Sequence, residues 1–113
     1  MPLYLFDYMG TLDTLASPVD YLGALREQHP DGCLVIVVSG TRVPGHVAAA
    51  ADDVWSKDES FTNPIKDLYR KGYREVFVCD DMPIIRRTYA RALRGMGFTV
   101  TVVHPADLMT LLV

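Results

Sequence analysis

Short apolar runs alternate along this chain with segments whose hydrophobic residues recur at helical spacing. The runs are LYLF (3–6), CLVIVVS (33–39), EVFVC (75–79) and FTVTVV (98–103), with a briefer one near Val54 and Trp55. This alternation is typical of βαβ units, in which parallel strands are covered by helices on both faces. The pattern predicts an α/β fold in three layers, with an open, Rossmann-like parallel sheet of about five strands in the middle.

Residues that favour helix ends mark where the helices should begin and stop. Ser17 is placed to cap a helix starting at Pro18, and the sequence HPDG (29–32) should end it. A small helix is expected around PGHVAAAAD, and Asn63-Pro64 should cap the helix IKDLYRK. A further helix should run from Met82-Pro83 to about Gly95, and Pro105 should open a terminal helix, ADLMTLL.

Length and composition favour one self-sufficient domain. The chain has 113 residues, half of them hydrophobic, so residues 1–113 are predicted to form a single domain with a substantial core. A charged fraction of 22% and a net charge of −3 argue against a broad nucleic-acid-binding surface, although a nucleic-acid end could still reach a local site. The sequence specifies no oligomeric state.

Cysteine placement and hydropathy bear on where the protein resides. Cys33 and Cys79 lie inside apolar runs, and Asp7 interrupts the only early apolar stretch, so no secretory segment is recognised. No run approaches the roughly 20 residues that a membrane-spanning helix needs. We therefore expect a cytoplasmic, reduced protein without a membrane partner.

Polar side chains stand where the predicted strands end. Asp7 follows the first apolar run, Ser39 ends the second, and Asp80 and Asp81 follow EVFVC. In an open parallel sheet the carboxyl ends of the strands form the ligand-binding edge. Carboxylates there suit Mg²⁺, and a hydroxyl with one or two lysines suits phosphoryl oxygens. The residues therefore predict phosphoryl-transfer chemistry.

Four motifs in this order resemble those of the haloacid dehalogenase-like (HAD) superfamily. They are DYMGTL (7–12) after a strand, VVSG (37–40), a lysine ahead of the fourth strand, and VCDD (78–81). The resemblance covers almost the whole chain. Its second half, with NPIKDLYRK, VFVCDD and GFTVTVVHPADL, is most similar to the phosphatase domain of polynucleotide kinase-phosphatases, although the helix after the paired acids is a few residues longer here. The short connections imply a member without a cap domain, and thus an open site for a phosphorylated small molecule or a polymer end.

The resemblance also implies roles for individual residues. Asp7 would be the nucleophile that forms an aspartyl phosphate, and Asp7, the backbone carbonyl of Met9, Asp80 and Asp81 would hold Mg²⁺. Lys66, or alternatively Lys57, would neutralise developing charge, with Lys66 preferred because it lies near a helix N-terminus. The implied substrate-binding residues are Gly10, Thr11, Ser39, Gly40 and Lys66.

Met9 departs from the family pattern. Phosphatases of the family carry at this position a second aspartate, which protonates the leaving group and then activates water, whereas a thioether has no titratable proton. Losing such a group typically costs roughly 10² to 10⁴ in rate. Two interpretations follow: a Mg²⁺-dependent phosphohydrolase or phosphotransferase with impaired acid-base catalysis, or a catalytically silent binding module for metal, phosphate or a protein partner.

Structural roles are the alternative for several of these residues. The Asp80-Asp81 pair could serve only to cap a helix, and Lys57 and Lys66 could be ordinary surface lysines. Arg86 and Arg87 could contact an anionic substrate, but with Arg91 and Arg94 they are expected to form a solvated helix face. Bacterial receiver domains have similar length and topology, but they place the acid pair after the first strand and an aspartate after the middle one, which is the wrong order for this chain.

Overall fold

The computed structural model describes residues 1–57 and 62–112 of the chain, and it has the predicted α/β architecture. Its five strands are β1 (Leu3–Asp7), β2 (Leu34–Ser39), β3 (Asp53–Ser56), β4 (Glu75–Cys79) and β5 (Thr99–Val103). Its helices are α1 (Pro18–Glu27), α2 (Gly45–Ala50), α3 (Thr62–Arg70) and α4 (Pro83–Met96). Two 3₁₀ segments, Leu12–Thr14 and Pro105–Leu111, follow β1 and β5.

All five strands are parallel and lie in the order β3-β2-β1-β4-β5. The chain therefore leaves β1 in one direction to build β2 and β3, and later returns to the other side of β1 to build β4 and β5. The point where the strand order reverses lies between β1 and β4, and in open α/β sheets the crevice at the carboxyl ends of such strands is the favoured ligand site. This arrangement is compatible with a Rossmann-like fold.

Alternation along each strand divides the core into two layers. Leu3 and Leu5 pack on one face of the sheet with Ile65 of α3 and Leu93 of α4. Tyr4 and Phe6, pointing the other way, belong to a second cluster whose remaining buried members include Tyr21, Leu22, Leu25, Val47 and Leu108. Because both faces are covered, the central strands read as continuous apolar runs, which is why they could be located from the sequence.

Helix caps agree with the sequence at α1 and α4 and differ at α3. The Oγ atom of Ser17 accepts a hydrogen bond from the backbone N–H of Asp20 at 3.2 Å, with Pro18 as the first helical residue. At α4, Met82 precedes Pro83, and Gly97 ends the helix at φ +106°. The expectation that Asn63-Pro64 caps α3 is wrong, because the helix begins at Thr62 and contains both residues in its first turn.

The segment after Pro105 also differs from expectation. It forms a 3₁₀ segment rather than an α-helix, with the His104 side chain accepting a hydrogen bond from the Ala106 backbone N–H. Within the described ranges, no helix combines the length and the apolar character needed to cross a membrane.

Candidate metal and phosphate site

Asp7 lies at the carboxyl end of the central strand, beside the acids that follow β4. Phe6 pairs with Cys79 across β1 and β4, so the next residue on each strand, Asp7 and Asp80, are neighbours at the sheet edge. Both side chains are buried, whereas Asp81 is exposed. One carboxylate oxygen from each of the three acids lies within 4.8 Å of the others. Oxygen atoms at this spacing can converge on one cation, so the three acids could hold a metal ion.

Gly10 allows the loop after β1 to approach Asp81 closely. Its φ is +76°, a left-handed conformation that glycine adopts without strain. A Cβ atom at this position would lie 2.3 Å from the Oδ2 atom of Asp81. The Gly10 N–H donates to the Oδ1 atom of Asp13 at 2.7 Å, which fixes the turn. The glycine thus brings the loop against the acid cluster.

Lys57 joins the acids into one charged group. Its Nζ atom donates to Asp7 Oδ1 and Asp80 Oδ2, each at 2.8 Å. The residue follows β3 directly, and its backbone N–H donates to the carbonyl of Ser39 at 3.0 Å, which extends the β2–β3 pairing by one step. Gly40 lies beside the aliphatic part of the lysine, since a Cβ atom there would be 3.9 Å from Lys57, an ordinary van der Waals distance.

Lys66 lies elsewhere. Its exposed side chain borders a surface cavity shared with Tyr69, Arg70, Gly95 and Met96. Gly95 and Met96 end α4, a helix of 14 residues whose first turn adjoins the acid pair, so this cavity is roughly 20 Å along the helix from the cluster. The preference for Lys66 over Lys57 therefore gains no support from the geometry, which brings only Lys57 to the acids.

Burial and neighbouring charges both shift pKa values in the site. Burial raises the pKa of the Asp7 carboxyl to about 6; the Asp81 and Asp80 carboxyls add to this rise and the Lys57 ammonium group opposes it. Burial alone would lower the pKa of Lys57, but its hydrogen bonds to Asp7 and Asp80 raise it above the ordinary value. The lysine therefore stays charged and balances acids that share a small volume.

The second predicted motif supplies a hydroxyl at the same sheet edge. Ser39 is buried at the end of β2, one residue beyond Val38, the register partner of Asp7. Its Oγ atom accepts a hydrogen bond from the Thr41 backbone N–H at 3.1 Å and lies 3.2 Å from Thr41 Oγ1. A second hydroxyl thus stands beside the predicted one. Thr11, also a predicted site residue, is fully buried, and its Oγ1 has no hydrogen-bond partner within the described part of the chain.

Three residues near the cluster were not among the predicted site residues. Thr41 contacts Ser39, and the Arg86 guanidinium donates to the backbone carbonyl of Asp80. Tyr89 is half-buried on α4; burial raises the pKa of its phenol, and the carboxylates of Asp80 and Asp7 contribute. Arg86 is half-buried while Arg87, Arg91 and Arg94 are exposed, so the predicted solvated face is confirmed for those three only. The i, i+3 relation of Arg86 and Tyr89 could have indicated a shared inner face.

Asp80 forms a turn just before α4 and also belongs to the acid cluster. Its Oδ1 atom accepts the Met82 backbone N–H at 2.9 Å, while Oδ2 accepts from Lys57. The N-cap position of α4 is Met82 and has no side-chain cap, so the expectation that the Asp80-Asp81 pair only caps this helix is not met. Met9 is 54% exposed, so its thioether faces solvent beside the cluster.

Comparisons with known proteins identify no family for this chain. No protein-family model, curated protein or solved structure matches it.

Proposed function

We propose that this chain is a HAD-like domain without a cap and that its acid cluster is a Mg²⁺-dependent phosphoryl-transfer site. The observation that carries the proposal is the convergence of Asp7, Asp80 and Asp81 within 4.8 Å at the carboxyl edge, at the point where the strand order reverses. Lys57, bonded to two of these acids, supplies the positive charge that an incoming phosphate requires.

Each residue has a role in the proposed reaction that follows from its chemistry. Asp7 is the nucleophile, because its carboxylate stands at the end of the central strand with its backbone fixed by pairing on both sides. Asp80, Asp81 and the Met9 carbonyl complete the cation site with Asp7. A bound Mg²⁺ would neutralise phosphoryl oxygens and orient the ester. Ser39, with Thr41 beside it, and Lys57 hold the phosphoryl oxygens, and Gly10 keeps the loop close enough to contribute.

A second candidate function is a silent binding module for metal and phosphate. The observation that favours it is the exposed Met9 side chain, which can neither protonate a leaving group nor activate water. In that case the site binds a phosphorylated ligand or nucleic-acid end without turning it over.

One set of measurements separates these functions. Mg²⁺ binding is measured by titration calorimetry, and phosphate release from p-nitrophenyl phosphate is followed with and without Mg²⁺, in the native protein and in Asp7→Asn. Release that needs Mg²⁺ and is lost in Asp7→Asn supports the enzyme. Mg²⁺ binding without release supports the silent module. Absence of Mg²⁺ binding, in a protein whose circular dichroism shows it folded, overturns both.

A further inference from the structure

Two exposed methionines, Met9 and Met82, border the mouth of the acid cluster. They expose 54% and 49% of their surface. Gly10 packs against Asp81, and the two methionines are the residues next to that contact, one on each segment. Exposed apolar side chains gathered at a polar site indicate a ligand with an apolar part.

None of the charged residues described around Asp7 is placed to give a proton to a leaving group. Lys57 donates into two carboxylates, and Arg86 retains its protons at all relevant pH values. Asp80 and Asp81 serve as cation ligands in the proposed function, a role that requires the ionised carboxylate. At the mouth itself stands Met9, which has no proton to give. Tyr89, half-buried on α4, is the competing donor that an experiment must address.

We infer, building on the proposed phosphoryl-transfer function, that the substrates of this site are aryl phosphate monoesters whose ring lies against Met9 and Met82. A phenol has a pKa near 10, whereas an alkyl alcohol resembles water at about 16. An aryl oxygen can therefore leave as the anion without a proton donor. Methionine thioethers also make favourable contacts with aromatic rings, which matches the composition of the mouth.

The first step of the reaction needs no acid to protonate the leaving group. A carboxylate oxygen of Asp7 forms a bond to phosphorus while the bond from phosphorus to the aryl oxygen breaks, and its electron pair departs on the phenolate. In the second step a water oxygen bonds to phosphorus, the bond to Asp7 breaks, and the water proton passes to solvent base. With no group at position 9 to activate that water, the second step is the slower one. The phenolate should therefore appear as a burst of about one equivalent per site.

The decisive experiment compares leaving groups. Rates of the burst are measured for substituted phenyl phosphates, for phenyl phosphate and for an alkyl ester such as glycerol phosphate, with Mg²⁺, in the native protein, Met9→Asp and Tyr89→Phe. We expect the native rate to fall steeply as the pKa of the leaving group rises. Met9→Asp should raise the alkyl-ester rate by about 10² to 10⁴ and flatten the dependence. A flat dependence in the native protein, or one that becomes steep only in Tyr89→Phe, overturns the inference.

The apolar mouth is tested separately with a matched control. Met82→Ser should raise KM for phenyl phosphate several-fold and leave KM for acetyl phosphate, which has no ring, nearly unchanged. Met109→Ser removes a methionine that is 61% exposed elsewhere, on the segment after β5, and should leave both KM values unchanged. Equal effects of Met82→Ser on both substrates contradict a ring-binding mouth.

The source of the aryl phosphate is identified by comparing free phosphotyrosine with a phosphotyrosyl peptide. A higher kcat/KM for the peptide indicates a protein substrate, and equal values indicate a small molecule. Failure of the inference differs from failure of the proposed function. If glycerol phosphate and phenyl phosphate are hydrolysed equally fast and Asp7→Asn abolishes both, only the substrate class is wrong. If no substrate gives a burst and the folded protein binds no Mg²⁺, the proposed function fails as well.

Discussion

Single atoms decide the geometry of the candidate site. The contact between Gly10 and Asp81 leaves no space for even one additional carbon, and the two hydrogen bonds of Lys57 bring its charge within 2.8 Å of two carboxylates. Each contact joins segments far apart in the sequence. A substitution at either residue therefore changes the relation between whole strands as well as its own surroundings.

Replacing Gly10 by alanine should damage both stability and metal binding. The added Cβ would meet Asp81 Oδ2 at 2.3 Å and hold a side chain at φ +76°, which together should cost about 1–3 kcal/mol. Calorimetric Mg²⁺ affinity should fall because Asp81 is displaced. Gly23→Ala is the matched control, since nothing lies within 4 Å of its Cβ position inside α1, and it should stabilise the protein by about 0.5–1 kcal/mol. Equal urea midpoints for the two variants would refute the argument.

The two candidate lysines can be separated by stability alone. Lys57→Met leaves two buried acids without their shared partner and should cost about 3–5 kcal/mol of unfolding free energy at neutral pH. Mg²⁺ should restore part of this loss, because the cation replaces the missing charge. Lys66→Met, at an exposed position, should change stability by less than about 0.5 kcal/mol. Both variants are compared by urea unfolding with and without Mg²⁺. A large loss of unfolding free energy in Lys66→Met would contradict the assignment of Lys57 to the acid cluster.

At the scale of secondary-structure elements, the sequence predicted the strands better than the ends of the helices. Continuous apolar runs locate β2 and β4 because strands covered on both faces need no polar alternation. Even the short β3 was placed correctly at Val54 and Trp55. Asn63-Pro64 misled because proline is tolerated anywhere in the first helical turn, so it did not define where α3 begins.

The site was predictable to the extent that it follows strand ends. Asp7, Ser39, Asp80 and Asp81 occupy the expected edge because the carboxyl ends of parallel strands converge there. The choice between lysines depended on tertiary position, which spacing along the chain does not encode. Lys57 reaches the acids because β3 pairs beyond β2, whereas closeness to a helix N-terminus made Lys66 look the more suitable.

The N-cap of α1 tests how much one local hydrogen bond contributes to the unfolding free energy. Ser17→Ala removes the acceptor for the Asp20 N–H, which is bonded at 3.2 Å, and should lower the unfolding free energy by about 1 kcal/mol. Ser17→Asn retains a capping oxygen and should cost only a few tenths of that amount. Both are measured by urea denaturation, and equal losses would mean that the serine acts through something other than its cap.

At the scale of the whole molecule, one core layer carries buried phenols. The Tyr21 hydroxyl donates to the carbonyl of Leu108 at 2.6 Å, and the hydroxyl of Tyr4 forms a 2.6 Å hydrogen bond with His29 Nε2. Burial is the main cause that raises the pKa of both phenols, to about 12 for Tyr4. One hydrogen bond joins β1 to the turn after α1, and the other joins α1 to the segment after β5, so ionisation of the two phenols would disturb contacts between separate segments of this layer.

Alkaline pH should therefore destabilise the fold through these tyrosines. Their folded-state pKa values lie above the unfolded value near 10, so their stabilising contribution is complete below pH 10 and declines as pH rises towards 12. Urea unfolding at intervals from pH 8 to 11.5 should show this decline. In Tyr21→Phe we expect about 1 kcal/mol lower stability at pH 8 but a shallower decline above pH 10. An unchanged decline would assign the alkaline sensitivity to other groups.

The central position of β1 also bears on how the molecule is made. β1 precedes the other four strands along the chain and must lie between β2 and β4, and β4 begins only at Glu75. During synthesis one side of β1 therefore remains unpaired until β4 has emerged. The acid partners of Asp7 follow that same strand, so β1 gains its second neighbour and Asp7 gains its acid partners in one step.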